Sequence, residues 1–122
     1  MSSSKAWAAA AALAWLAAGG VAQAAQNGFE CPAQISIDGV ELSLANLNVF
    51  DGPIENRVAL VPETVQDDPD TLRWELDANM AATMKCRYRD SRHYVVLVAE
   101  GATQCTVHAP KGQVAQASCK AP

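Results

Sequence analysis

The run Met84-Lys85-Cys86-Arg87-Tyr88-Arg89 constrains the fold more than any other stretch of this chain. Side chains alternate across a β-strand, so Met84, Cys86 and Tyr88 face one way and Lys85, Arg87 and Arg89 the other. One face is core; the other is a cationic stripe. The preceding run has the same two-residue period, with Leu72, Trp74 and Leu76 opposed to Arg73, Glu75 and Asp77. Paired antiparallel, the two runs set core against core and acids against bases, which predicts a hairpin. The following run, His93 to Ala99, is apolar on both faces, as expected of a strand covered on both sides or lying in the middle of a sheet.

The N-terminus has the form of a secretory signal peptide. A single cation, Lys5, precedes an alanine-rich run, and Ala22-Gln23-Ala24 places small residues three and one positions before a cut. Cleavage after Ala24 leaves residues 25–122 as a single β-rich domain with no stable membrane anchor. A retained signal anchor is the competing reading, because the apolar run approaches spanning length. A domain this short buries a modest core, so covalent staples supply much of its stability. All four cysteines, Cys31, Cys86, Cys105 and Cys119, lie after the cut, and an even count in an oxidising compartment reads as two disulfides.

Turn chemistry punctuates the rest. Asp38-Gly39 joins the alternating runs Ile35–Ile37 and Val40–Leu44 in a tight hairpin, and Asn46–Phe50 continues the alternation until Asp51-Gly52-Pro53 stops it. Ile54 to Val61 fits either a strand or a short helical turn, and Pro62 closes it. Glu63 to Asp70 holds four acids and Pro69 and reads as a solvated loop. Two C-terminal arms fold about Pro110-Lys111-Gly112 and place Cys105 opposite Cys119. Of the three pairings that four cysteines allow, this hairpin selects Cys105–Cys119 and leaves Cys31–Cys86. The fold class expected is mainly β, a small antiparallel sheet or barrel with two disulfides.

Charge is unevenly placed. The net charge is −4, and eleven of the thirteen acids lie between Glu30 and Asp77, whereas six of the nine bases follow Ala78. Either the two halves pair in the fold, or the asymmetry marks a polar recognition surface. Nucleic acid does not suit an acidic exported domain. The cysteines lack the close pairing of a zinc site, and His93 and His108 have no partner at ligand spacing. There is no Gly-x-Ser-x-Gly elbow, and the disulfides leave no thiol nucleophile. Asp51 with Glu55 is the best carboxylate pair, but Asp51 is explained by its turn. The expectation is a non-enzymatic protein without cofactor.

Taken together, Val49-Phe50-Asp51-Gly52-Pro53, Leu60-Val61-Pro62, Trp74-Glu75-Leu76, Cys86-Arg87-Tyr88, Gln104-Cys105-Thr106-Val107 and Ser118-Cys119, with Cys31-Pro32 at the start, resemble a family of small exported proteobacterial proteins of uncharacterised function. Some members look like periplasmic immunity proteins that neutralise cell-wall effectors delivered by type VI secretion. The resemblance implies a protein partner in the periplasm and carries over no catalytic residue. The alternative is an accessory envelope protein that binds glycan or an envelope complex.

For an inhibitor, two surfaces stand out: the acidic segment Glu63, Asp67, Asp68 and Asp70, and the stripe Lys85, Arg87 and Arg89. The stripe has acids available on the strand expected beside it, whereas the acidic segment has no obvious local partner. The segment is therefore the first expectation for the partner surface.

Overall fold

The computed structural model describes residues 28–122. The expected signal peptide, residues 1–24, lies outside the described residues. Nine strands follow in order: β1 (Gly28–Glu30), β2 (Gln34–Ile37), β3 (Val40–Asp51), β4 (Glu63–Val65), β5 (Asp68–Glu75), β6 (Ala81–Tyr88), β7 (Tyr94–Glu100), β8 (Gln104–His108) and β9 (Gln116–Lys120). They form two antiparallel sheets, β1-β9-β8-β5-β4 and β2-β3-β6-β7. The mainly β expectation holds. No helix among the described residues is long and apolar enough to cross a membrane.

The alternation read from the sequence builds the core. Leu44, Leu47 and Val49 of β3 and Met84, Cys86 and Tyr88 of β6 are buried, as are Trp74, Cys105, Val107 and Cys119 of the five-stranded sheet. Leu44 and Leu47 have opposite parity, so a regular strand would expose one of them. A bulge between Leu44 and Asn46 absorbs the extra residue and keeps both inside. The sheets are joined by three further devices: the Ala115 N–H donating to Leu44 O (3.0 Å), the Trp74 indole donating to Leu60 O (3.2 Å), and the disulfide Cys31–Cys86.

Several local expectations stand. Ile37 pairs with Val40 across Asp38-Gly39, both residues at positive φ (51° and 79°), which is why a short polar residue and glycine occupy this two-residue turn. Cys105 lies opposite Cys119 in the β8–β9 hairpin, and both expected disulfides are present. The ambiguous stretch after Pro53 is a short 3-10 turn, Ile54–Asn56, followed by an isolated bridge from Ala59 to Phe50.

Three expectations are corrected. The runs around Leu72–Asp77 and Met84–Arg89 do not form a hairpin: β5 pairs with β4 and β8, and β6 pairs with β3 and β7. Matching two-residue periods make any two amphipathic strands compatible, and the disulfide-closed β8–β9 unit takes the place beside β5. The acidic stretch is not a loop either; Glu63–Val65 and Asp68–Glu75 make a hairpin turned at Gln66-Asp67, with Asp67 at φ 63°. Finally, β7 is an edge strand with one face in solvent, where Tyr94, Val96 and Val98 are 50%, 43% and 61% exposed.

Candidate functional site

The corrected topology changes the surroundings of the charged residues. Arg73 pairs with Glu63 (2.9 Å) and with Glu75 (3.0 Å), all within the acidic half of the chain. The hydrogen bond to Glu63 raises the Arg73 pKa, helped by the charges of both carboxylates and opposed by desolvation. Asp68 accepts a hydrogen bond from the Thr71 hydroxyl (2.7 Å), and Thr71 Oγ1 lies 2.7 Å from His108 Nδ1. The single hydroxyl proton goes to the carboxylate, so His108 Nδ1 donates to Thr71. That order of donation ties β5 to β8 as a clasp. Two of the four acids put forward as a partner surface, Glu63 and Asp68, are thus engaged within their own sheet; Asp67 and Asp70 remain exposed with no ion pair among the described residues.

The stripe has the opposite fate. Among the described residues, no lysine or arginine after Ala78 lies within ion-pair distance of a carboxylate. Of the acids expected across from the stripe, Glu75 belongs to the other sheet and Asp77 lies in the connection that follows it. Lys85 instead sits opposite Asn48 and Val96, and Arg87 opposite Asn46 and Tyr94. The Lys85 ammonium stands 4.4 Å from the centroid of the Tyr94 ring, a cation–π contact. Arg87 reaches Asn48 Oδ1 only at 3.5 Å, too long to hold the guanidinium. Arg89 is occupied, donating to Gln113 O at 3.1 Å.

These residues share the outer face of the four-stranded sheet. Three cross-strand rows cover it: Asn46, Arg87 and Tyr94; Asn48, Lys85 and Val96; Phe50, Thr83 and Val98. The 3-10 turn rises from this face as a ridge, anchored by the Thr83 hydroxyl donating to Gly52 O at 2.7 Å. Ile54 and Glu55 on the ridge border two shallow hollows, one with Phe50, Arg57 and Lys85, the other with Tyr94, Val96 and Val98. The face therefore joins two cations without carboxylate partners to a row of exposed apolar side chains, the mixture that suits a protein contact. Another hollow, beside β1 and the β8–β9 hairpin, is lined by Glu30, Thr106, His108, Gln116 and Ser118 and has no lysine or arginine in its wall. No cluster of three or more potential metal ligands occurs among the described residues.

The sequence reading placed Lys85 and Arg87 on one face correctly. It missed Tyr94, Val96 and Val98 because a run apolar on both faces was read as a strand covered on both sides or lying in the middle of a sheet. The available signal was the pairing of Tyr94–Val98 with a stripe of cations: once these two strands are neighbours, the face carrying Lys85 and Arg87 cannot be core, so the residues beside them must also face water.

Fold and site together define a small β protein, stapled by two disulfides, whose distinctive surface is an open sheet face that mixes cations with exposed apolar side chains. The Type VI secretion system Tli immunity protein family matches residues 39–120, and the chain belongs to that family. Neither a curated protein nor a solved structure matches it. The earlier resemblance to immunity proteins of type VI secretion is thereby supported, and the family assigns the chain an inhibitory role against a type VI effector.

Proposed function

We propose that this protein is exported to the periplasm, where it binds an envelope-damaging effector delivered by type VI secretion and blocks it through the outer face of the β2-β3-β6-β7 sheet. One observation carries the choice of face: Lys85 and Arg87 have no carboxylate partner among the described residues and stand beside exposed Tyr94 and Val96. Cations without internal partners speed the encounter with an acidic surface, and neighbouring apolar side chains slow its dissociation. The acidic hairpin becomes the weaker choice, since Glu63 and Asp68 already serve their own sheet. Both disulfides support the periplasmic reading, because they persist in oxidising compartments.

The experiment is protection of a bacterial cell that receives, in its periplasm, a type VI effector from the organism that makes this protein. The full chain should restore growth, and a version lacking residues 1–24 should not. Equal protection by the leaderless version would contradict periplasmic action.

A further inference from the structure

The two sheets have four edges, and three of them are short. β1 and β4 contribute three residues each and β2 four, lengths that offer little to an added strand. β7 is seven residues long, Tyr94-Val95-Val96-Leu97-Val98-Ala99-Glu100, with no proline, no lysine and no bulge. Sheet edges of this kind are normally blunted, because their free N–H and C=O groups template pairing with another strand.

Register shows which groups are free. The Gly52 N–H donates to Ala81 O, so the backbone of Ala81 points toward β3 and that of Ala82 toward β7. Backbone direction alternates along a strand, which makes Ala82–Ala99, Met84–Leu97 and Cys86–Val95 the hydrogen-bonded pairs between β6 and β7. The backbone groups of Tyr94, Val96 and Val98 therefore point away from β6, and no hydrogen bond from them to a side chain or loop occurs among the described residues. The same three residues carry the exposed apolar side chains.

We propose that the β7 edge is a homodimer interface, pairing antiparallel with β7 of a second copy about a twofold axis through Val96. Outward-pointing backbone groups must meet outward-pointing ones, and centring on Val96 satisfies this while setting Tyr94 opposite Val98 of the other copy. The same register sets Arg92, at the bend two residues before the strand, at the same end of the strand pair as Glu100 of the other copy, twice by symmetry. Arg92 and Glu100 are exposed and lie in no ion pair among the described residues. This charge complementarity selects a second copy as the occupant. The axis runs perpendicular to the sheet, so the two outer faces turn the same way and the apolar rows join. A single strand pair is a small interface, so the dimer forms reversibly with concentration.

Sedimentation of oxidised protein purified from the periplasm tests this without any effector. The wild type should show a monomer–dimer equilibrium, Arg92→Glu or Glu100→Arg should each weaken it several-fold, and the two reversals combined should restore it. Val96→Pro removes an outward N–H that the fold itself does not use and should give monomers with an unchanged circular dichroism spectrum. The charge variants keep the test decisive if the proline variant fails to fold. A wild type monomeric up to about 1 mM, or a dimer indifferent to both reversals and to their combination, would overturn the proposal. A monomer whose β7 amides are shielded only by bound effector would also overturn it, assigning the edge to the effector.

Discussion

Tyr88 shows at the residue scale how one side chain serves both core and clasp. Its ring is buried, and its hydroxyl donates to Pro32 O at 2.7 Å, fixing the segment that carries Cys31. Tyr88→Phe keeps the ring and loses the donor, so it should cost about 1–2 kcal/mol in urea unfolding. Burial also raises the Tyr88 pKa above the ordinary tyrosine value. Because the native state holds the proton more tightly than the unfolded chain does, the contribution of Tyr88 is complete below the unfolded pKa of about 10 and declines as pH rises through the folded value. Unfolding measured across that alkaline window should show a loss of stability that Tyr88→Phe removes. Alternation in the sequence identified Tyr88 as a core residue; its hydrogen bond joins residues 56 apart and has no local signature.

At the scale of elements, the sequence was most informative where a turn fixes its own register. The hairpins at Asp38-Gly39 and Pro110-Lys111-Gly112 followed from turn chemistry, and with the second came both disulfide pairings. Strand partners separated by long connections were not legible, since a two-residue period says which face is inside and not which strand lies alongside. That is why β5 was expected beside β6 and is found in the other sheet. The disulfides should differ in weight for the same reason. Cys105–Cys119 closes a hairpin already held by β8–β9 pairing, with a sequence separation of 14, whereas Cys31–Cys86 joins the two sheets across a separation of 55. Loop-closure entropy gives about 3 kcal/mol for the short loop and about 4 kcal/mol for the long one. Replacing Cys31 and Cys86 by alanine should therefore lower the melting temperature more than replacing Cys105 and Cys119, as calorimetry of the two double variants would show.

For the whole molecule, the charge asymmetry read from the sequence was real, and its resolution depended on topology. Among the described residues, the lysines and arginines of the second half form no ion pair with the acids of the first: Arg73 takes up Glu63 and Glu75, and Lys85 and Arg87 stand without a carboxylate partner on the outer face of the other sheet. Composition could show that the charges were segregated, but only strand order could show which remained available to a partner. The central claim is that Lys85 and Arg87 on the outer sheet face engage the effector. Because neither residue supports the fold through an ion pair, Lys85→Glu with Arg87→Glu should cost no more than about 1 kcal/mol, chiefly the cation–π contact of Lys85 with Tyr94. The most direct test is the affinity of effector for this variant, compared with wild type and with Asp67→Asn/Asp70→Asn. The stripe reversal should weaken binding by about tenfold or more, mainly through slower association, while the acidic-hairpin variant binds as wild type does. Undiminished binding by the stripe variant, with affinity lost in the acidic-hairpin variant instead, would contradict the account.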